Sequence, residues 1–506
     1  MRAARTGPRT IPGRTDDIVI VGAGVAGLAA ALHLLGAGRS VTVVEREHHP
    51  GGRAGRDDID GFHLDTGPTV LTMPELIDEA LAAVGDSLEA RLDLVRIDPA
   101  YQARFADGST IDVHTDASAM AEEIARTVGP RDANGYLKLR DWLSRLYRLQ
   151  IRSFIDANFD SPLQLLTPEL ARLAAMGGFG RLASVVGRFV SDERLRRIFS
   201  FQALYAGVAP QQALAAYAVI AYMDTVAGVY FPKGGMRALG DALAGAVLDA
   251  GGTIHYDQEV HRLVRRGDRV TGVRTAEGAH LNCDAVVLTL DLPMAYRLLG
   301  RMPWRPVPLR FSPSAVVLHA GVDRDWPDTP HHTISFGAAW ERTFDEILQR
   351  GTTMSDPSLL VTRPTVTDSA LAPQGHDLYS VLAPCPNLRV GSVDWERTAT
   401  TYRDALVRTL ERRGFTGFGS AIVTERLDTP LDWSRRGMAF GTPFATSHTL
   451  AQTGPFRPGN TVSSAENAVL AGCGTTPGVG LPTALLSGKL AAARIAGEAV
   501  ARKGTS

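Results

Sequence analysis

Excess charge of either sign is missing from this sequence: 53 Lys and Arg face 54 Asp and Glu, a formal net charge of −1. Such a chain offers no basic stripe to a polyanion, which argues against nucleic acid as a partner. Cysteine is scarce, with Cys283, Cys385 and Cys473 far apart, odd in number and in no C-x-x-C pair. Neither a disulfide framework nor a zinc site fits that spacing, and a reducing cytoplasm does. No run of ~18 uninterrupted apolar residues occurs, so no spanning helix is expected. The nearest stretch, "ALAAYAVIAYMDTVAGVYF" at 213–231, is broken by Asp224. It reads as a buried core helix running into a strand, or as a helix facing lipid or a lipid-like substrate. A secretory signal is also lacking: "MRAARTGPRTIPGRTDD" is Arg-rich but leads straight into a strand-like run with no apolar h-region. Residues 1–15 read as a disordered leader.

What is present is length and glycine. At 506 residues the chain is expected to form two or three units. In "DDIVIVGAGVAGLAAALHLLGAG" four apolar residues, Ile18 to Val21, precede Gly22, Gly24 and Gly27 in G-x-G-x-x-G spacing, and an Ala/Leu helix follows. This is a strand, a tight turn and a helix start whose free N–H groups and dipole favour a pyrophosphate, with Ala26 in the contacting turn. A second strand, "SVTVVE", ends in Glu45. A carboxylate there accepts hydrogen bonds from ribose hydroxyls and repels a 2′-phosphate, so FAD or NAD fits and NADP does not.

Two later stretches bear on that choice. "HHPGGRAGR" places Gly52 and Arg53 just after the ribose-binding strand, within reach of the pyrophosphate from its other side. "DGFHLDTGPTVLTMPE" adds a turn at Gly67, Pro68 and Thr69. The order of these motifs resembles the flavoprotein superfamily that contains amine oxidases and carotenoid desaturases. That resemblance implies FAD, its adenine-ribose end on the first loop and its flavin end held by a later part of the chain.

Residues 85–231 are rich in helix-forming runs and read as a helical region inserted for membrane or substrate contact. Leu137, Trp142, Leu146, Leu149 and Phe154 recur at helical spacing and suit a core, although an apolar tunnel would use the same residue types. "GVYFPKGGMRAL" and "TIHYDQEVHRLV" look like the chain re-entering the nucleotide domain, and in the resembled superfamily a residue at the Val260 position lends its backbone to the adenine. From 301 to 459 strand-like runs alternate with short helices and predict a mixed-sheet substrate domain. His331 and His332 have no third ligand at metal spacing, so no metal is assigned and a loop role is expected.

The full set of motifs, including "DTGPTVLTMPE", "DERLRRIFSFQALYAGVAP", "GVYFPKGGMRAL", "HTISFG", "FRPGN" and "LAGCGTTPGVGLPTALLSGKLAA", resembles the bacterial-type phytoene desaturases. The resemblance implies an α/β fold: a Rossmann-like FAD-binding domain (16–84, 232–300 and 460–500), a mixed-sheet substrate domain and the inserted helical region. It implies FAD-dependent desaturation of phytoene toward lycopene, with a hydride passing to flavin N5 and a proton leaving the neighbouring carbon. The implied partners are the polyene, a membrane surface approached from the cytoplasm, and oxygen or a quinone as electron acceptor; oligomerisation stays open. Asp156, Asp160 and Arg152 are out of register with the acid-base pair considered in that family, so no general base is named. Other carotenoid-modifying flavoenzymes, an amine oxidase, and a non-catalytic carotenoid-binding protein are the alternatives.

The stretch from 472 to 497 closes the argument for FAD. Gly472 is followed by Cys473, where several superfamily members carry an acid; a small apolar role beside the ribityl chain is expected. Gly478 and Gly480 allow close backbone approach, and a helix starting at Leu481 and Pro482 can aim N–H groups at the flavin's N1–C2 carbonyl region.

Overall fold

A computed structural model describes residues 9–497 and Val500. At its centre lie five parallel strands drawn from distant parts of the chain: β1 (Asp17–Val21), β2 (Ser40–Val44), β3 (Thr253–His255), β4 (Ala285–Leu288) and β5 (Ala468–Leu470), in the spatial order β5-β4-β1-β2-β3. In β1 every residue after Asp17 is buried, as a strand covered on both faces requires. Alternate residues serve the two faces. Ile18 and Ile20 pack against helices, whereas Val19 and Val21 pack with Val260 and Leu263 of a three-stranded antiparallel sheet (Val260–Arg266, Arg269–Thr275, His280–Asn282).

The helical face is built from α1 (Val25–Gly36), α2 (Arg237–Asp249) and α3 (Leu481–Ala496). Small residues decide how close they come. Ala26, Ala29 and Ala30 of α1 and Gly488 of α3 meet so tightly that a Cβ on Gly488 would stand 2.3 Å from the Ala26 carbonyl oxygen. Likewise a Cβ on Gly240 of α2 would stand 2.6 Å from the Gly51 Cα.

A hairpin, Arg56–Ile59 with Phe62–Asp65, carries the chain from this unit to a seven-stranded mixed sheet. Its turn is Asp60-Gly61, both at positive φ (51° and 82°), the conformation a two-residue hairpin turn favours. Phe62 presses on Gly321 of the mixed sheet, and Thr424 Oγ1 donates to Asp60 Oδ2 at 2.8 Å. The sheet runs Ile422–Asp428, Ser314–Val322, Asp377–Cys385, Leu359–Thr362, His332–Ser335, Tyr101–Arg104, Thr110–Val113, antiparallel except between the strands containing His332 and Tyr101.

Three expectations change. Residues 94–113 hold strands instead of helix, two of them forming the edge of the mixed sheet, so the helical region starts at Ala117. Strands of four residues carry too little pattern to stand out, and pairing across the sheet overrides local propensity. His331 and His332 are both buried, and His332 opens a strand, so the expected loop role holds only for His331, in the bend before it. Residues 1–8 of the expected leader lie outside the described residues, and the rest is held down: Ile11 is buried and its N–H donates to the Arg494 carbonyl at 2.8 Å. Of the five residues at helical spacing, Trp142 and Leu146 are buried, Leu149 and Phe154 half-buried, and Leu137 exposed. The stretch 213–231 is buried for most of its length, as a 3₁₀ turn, one α turn, a π-helical turn at Met223–Ala227 and a strand from Val229.

Candidate cofactor site

Loops leaving the carboxyl ends of the parallel strands converge, the place where such sheets bind ligands. Gly22 N–H donates to the Val44 carbonyl, and Thr289, just past β4, donates to the Val21 carbonyl at 2.8 Å. A Cβ on Gly22 would stand 2.3 Å from Thr289 Oγ1, and one on Gly27 2.1 Å from the Gly22 carbonyl, so both glycines are required by close packing. Gly24 faces open space except for Gly52. Helix α1 begins there without a side-chain cap or an acidic residue in its first turn. Its N–H groups are thus left for an anion.

Glu45 is buried at the end of β2, accepting hydrogen bonds from Ala23 N–H at 2.6 Å and Glu47 N–H at 2.9 Å. A carboxylate has lone pairs to spare beyond these two, so the loop amides orient it and ribose hydroxyls can still approach. Gly51 N–H donates to the Ala23 carbonyl at 2.9 Å, bringing Gly52 and Arg53 beside the first loop. The half-buried Arg53 makes no ion pair or hydrogen bond among the described residues. Gly67 lies against its backbone: a Cβ there would be 2.0 Å from the Arg53 carbonyl oxygen. Pro68 and Thr69 follow, half-buried, with Thr362 Oγ1 of the mixed sheet donating to Thr69 Oγ1 at 3.1 Å. Val260 is buried next to Val44, and Gln258 N–H donates to the Glu45 carbonyl at 2.9 Å.

The C-terminal loop joins the same place. Ala471 N–H donates to the Leu288 carbonyl, and Gly472 N–H donates to Ser487 Oγ of α3 at 2.9 Å. Cys473 is half-buried. Gly478, at φ 150°, passes so close to His448 that a Cβ would stand 2.2 Å from its ring. Gly480 precedes α3, which starts at Leu481 and Pro482 with no side-chain cap.

Sequence reasoning missed what stands behind this loop. Arg457 is buried; its Nε donates to the Thr475 carbonyl at 2.9 Å and its Nη2 to the Cys473 carbonyl at 2.6 Å, while Nη1 has no partner. No carboxylate pairs with it among the described residues, and burial lowers its pKa to about 10. His448 stacks edge-on with Tyr217, 5.3 Å between centroids, and burial pushes its pKa well below the ordinary value. Tyr217 and His448 are both half-buried. "FRPGN" marked Arg457 only as part of a motif; His448 carried no signal.

Asp156 and Asp160 serve another purpose. Lys489 of α3 donates to Asp156 at 2.6 Å and pairs with Glu79 at 2.7 Å, and the buried Arg494 donates to Asp160 at 2.6 Å. These carboxylates pin the helical region to α3.

The residues present fit FAD: an uncapped helix start, an acid at the second strand, an arginine at each loop with no carboxylate partner among the described residues, and glycines where backbone must approach closely. Comparison with known proteins agrees. The flavin containing amine oxidoreductase family matches residues 25–496. A phytoene dehydrogenase of Streptomyces griseus is 64% identical over 97% of this chain and 97% of its own. A zeta-carotene-forming phytoene desaturase of Myxococcus xanthus is 36% identical over 94% of this chain and 93% of its own. Among solved structures, cyclohexylamine oxidase from Brevibacterium oxydans aligns over 96% of this chain and 99% of its own, with TM-score 0.58 and 16% identity, a likeness of fold alone. The chain belongs to the flavin containing amine oxidoreductase family and, within it, to the phytoene desaturases; it is an FAD-dependent oxidoreductase.

Proposed function

We propose that this member of the family desaturates a C40 polyene, carrying phytoene toward lycopene in carotenoid biosynthesis. The observation that carries the reading is the 64% identity to a phytoene dehydrogenase along 97% of the chain. The relatives include zeta-carotene-, lycopene- and neurosporene-forming enzymes, so one fold supports different numbers of steps.

FAD, when bound, supplies the hydride acceptor at N5. Gly22, Gly24, Ala26, Gly27, Glu45, Gly52 and Arg53 are suited to the dinucleotide end, with Val260 near the adenine. The turn at Gly67, Pro68 and Thr69 and the loop from Gly472 to Pro482 are suited to the ring. A hydrocarbon substrate has no polar handle, so it must be gripped by apolar burial worth about 25 cal/mol per Å². The segment Ala215–Ala227 suits that task because it runs between the two ring loops: Tyr217 meets His448 beside Gly478, and Met223 packs with Met73 beyond Thr69.

Supply of such a substrate requires contact with lipid. No helix among the described residues is long and apolar enough to cross a membrane. A surface patch supports docking instead: Leu163, Leu166, Leu450, Phe456 and Trp304 are exposed. Leu165 lies beside Gly454, Arg305 hydrogen-bonds the Phe456 carbonyl, and Thr453 in the same loop bonds the Tyr217 hydroxyl. The patch therefore adjoins Tyr217, beside the loops suited to the ring, which supports entry of an apolar substrate from a membrane surface there.

Incubating the FAD-loaded protein with phytoene in liposomes and separating the products by chromatography tests this reading. The expected result is polyenes of extended conjugation that absorb at longer wavelength. Absence of any newly conjugated product overturns it.

A further inference from the structure

Desaturation removes two hydrogens, and the flavin takes only one of them as hydride. The proton on the neighbouring carbon needs an acceptor within an apolar cavity. Almost every buried carboxyl among the described residues is already engaged: Asp65 accepts the Met236 N–H, Asp377 and Asp428 pair with arginines, and Glu45, Asp132 and Glu346 each accept a backbone N–H. Asp224 differs from these: it is buried with neither a cation nor a backbone N–H donor among the described residues, and its one polar partner is the neutral Gln202 side chain.

Its surroundings are those of a reacting group. It sits on the π-helical turn Met223–Ala227, a deformation frequent at functional sites. Met223 packs against Met73, and Tyr230 N–H donates to the Leu71 carbonyl at 2.8 Å, so this turn adjoins the loop that begins at Gly67. The Gln202 amide lies beside the carboxyl, with Tyr101 from the mixed sheet and Tyr205 close enough to feel its charge. Arg140 of the neighbouring helix is turned to the Thr225 carbonyl and the Tyr136 hydroxyl instead. The Tyr101 hydroxyl meets the same Gln202 side chain, so the three groups form a small buried polar cluster. A side-chain amide carries both donors and an acceptor, so Gln202 can meet either the ionised or the protonated carboxyl.

We propose, on the strength of the desaturase reading, that Asp224 is the catalytic base that receives the substrate proton. The hydride leaves one allylic carbon for oxidised FAD, the adjacent C–H bond gives its proton to an Asp224 oxygen, and the electron pair of that bond becomes the new double bond. The flavin is reduced by two electrons and the polyene oxidised by two. The carboxylate also offsets the positive charge that develops along the polyene. Burial raises the Asp224 pKa to about 7, so near neutral pH the group can both take up and release a proton.

The test is anaerobic reduction of the flavin by liposomal phytoene, followed at the flavin absorbance band in the full-length, FAD-loaded protein from pH 5.5 to 8.5. The wild-type rate should fall about tenfold per pH unit below the Asp224 pKa, because the protonated acid cannot act as base. Asp224→Asn should keep its flavin spectrum, reduce at least about 100-fold more slowly and lose the pH step; Asp224→Glu should recover part of both. A wild-type rate that is flat with pH, or Asp224→Asn reducing its flavin as fast as wild type, overturns the proposal. The wild-type profile decides the matter even where the Asn variant fails to fold. Failure of phytoene to reduce the wild-type flavin, where dithionite does, overturns the desaturase reading itself.

Discussion

Gly488→Ala adds one methyl group where α3 crosses α1, and its effect can be worked from the contact. The new Cβ would stand 2.3 Å from the Ala26 carbonyl oxygen, 2.8 Å from Ala30 N and 3.0 Å from Ala29 Cβ. The first two are backbone atoms and cannot rotate aside. An ordinary contact begins at 3.4 Å, so the helices must part by roughly 1 Å. Overpacking of this kind costs about 1–3 kcal/mol. Because Ala26 lies in the first turn of α1, the displacement moves the N–H groups proposed to hold the pyrophosphate, and FAD affinity should fall about 10- to 100-fold, or about 1.4–2.8 kcal/mol. Titration of apoprotein with FAD by fluorescence, with thermal melting alongside, measures both effects. Gly459→Ala is the control, since nothing lies within 4 Å of a Cβ there. Wild-type affinity and melting temperature in Gly488→Ala would refute the reasoning.

Two further predictions concern charge. With the ring held by the C-terminal loop as proposed, Arg457→Gln removes a buried cation that no carboxylate balances among the described residues, and the flavin midpoint potential should become more negative, by about 30 mV for each tenfold loss of stabilisation; Arg457→Lys should stay closer to wild type, and equal potentials in all three proteins would contradict that placement of the ring. Asp428 has burial working against its ionisation, but His319, Arg426 and Arg436 more than offset it and hold its pKa at about 2. A carboxyl so depressed stabilises the fold above its unfolded pKa of about 4, and that contribution is lost as pH falls through the folded value. Asp428→Asn should therefore lower the melting temperature at pH 7, with the gap to wild type narrowing toward pH 2; a gap that does not change with pH would be the contrary result.

The dinucleotide unit was legible because its signals are local. Buried β-branched runs, glycines at fixed offsets and Glu45 at a strand end each report on residues within a few positions. The mixed sheet was legible where its strands are long, as at Ser314–Val322 and Asp377–Cys385, and illegible at Tyr101–Arg104 and Thr110–Val113, which are held by their neighbours. His331 and His332 look polar in sequence but are covered in the fold, each bonded through Nδ1 to a threonine, Thr367 and Thr362. Thr289, His448, Arg457 and Ser487 gain their importance only by meeting loops far away in sequence. Asp156 and Asp160 show the converse: carboxylates near the expected reaction region that the fold uses as anchors for α3.

Arg494 hydrogen-bonds Asp160 and the Arg9 carbonyl, so one buried guanidinium ties together segments as far as 485 residues apart. For a chain leaving the ribosome, this makes the parallel sheet and its helical cover the final part to close. β1, α1 and β2 emerge early, whereas β5 and the helix that covers α1 are made more than 400 residues later. Until then α1 exposes an apolar face, the condition in which chaperone capture and aggregation compete with folding. Closure of the α1 face is therefore timed by translation of residues 481–496, and any truncation that removes them leaves that face uncovered.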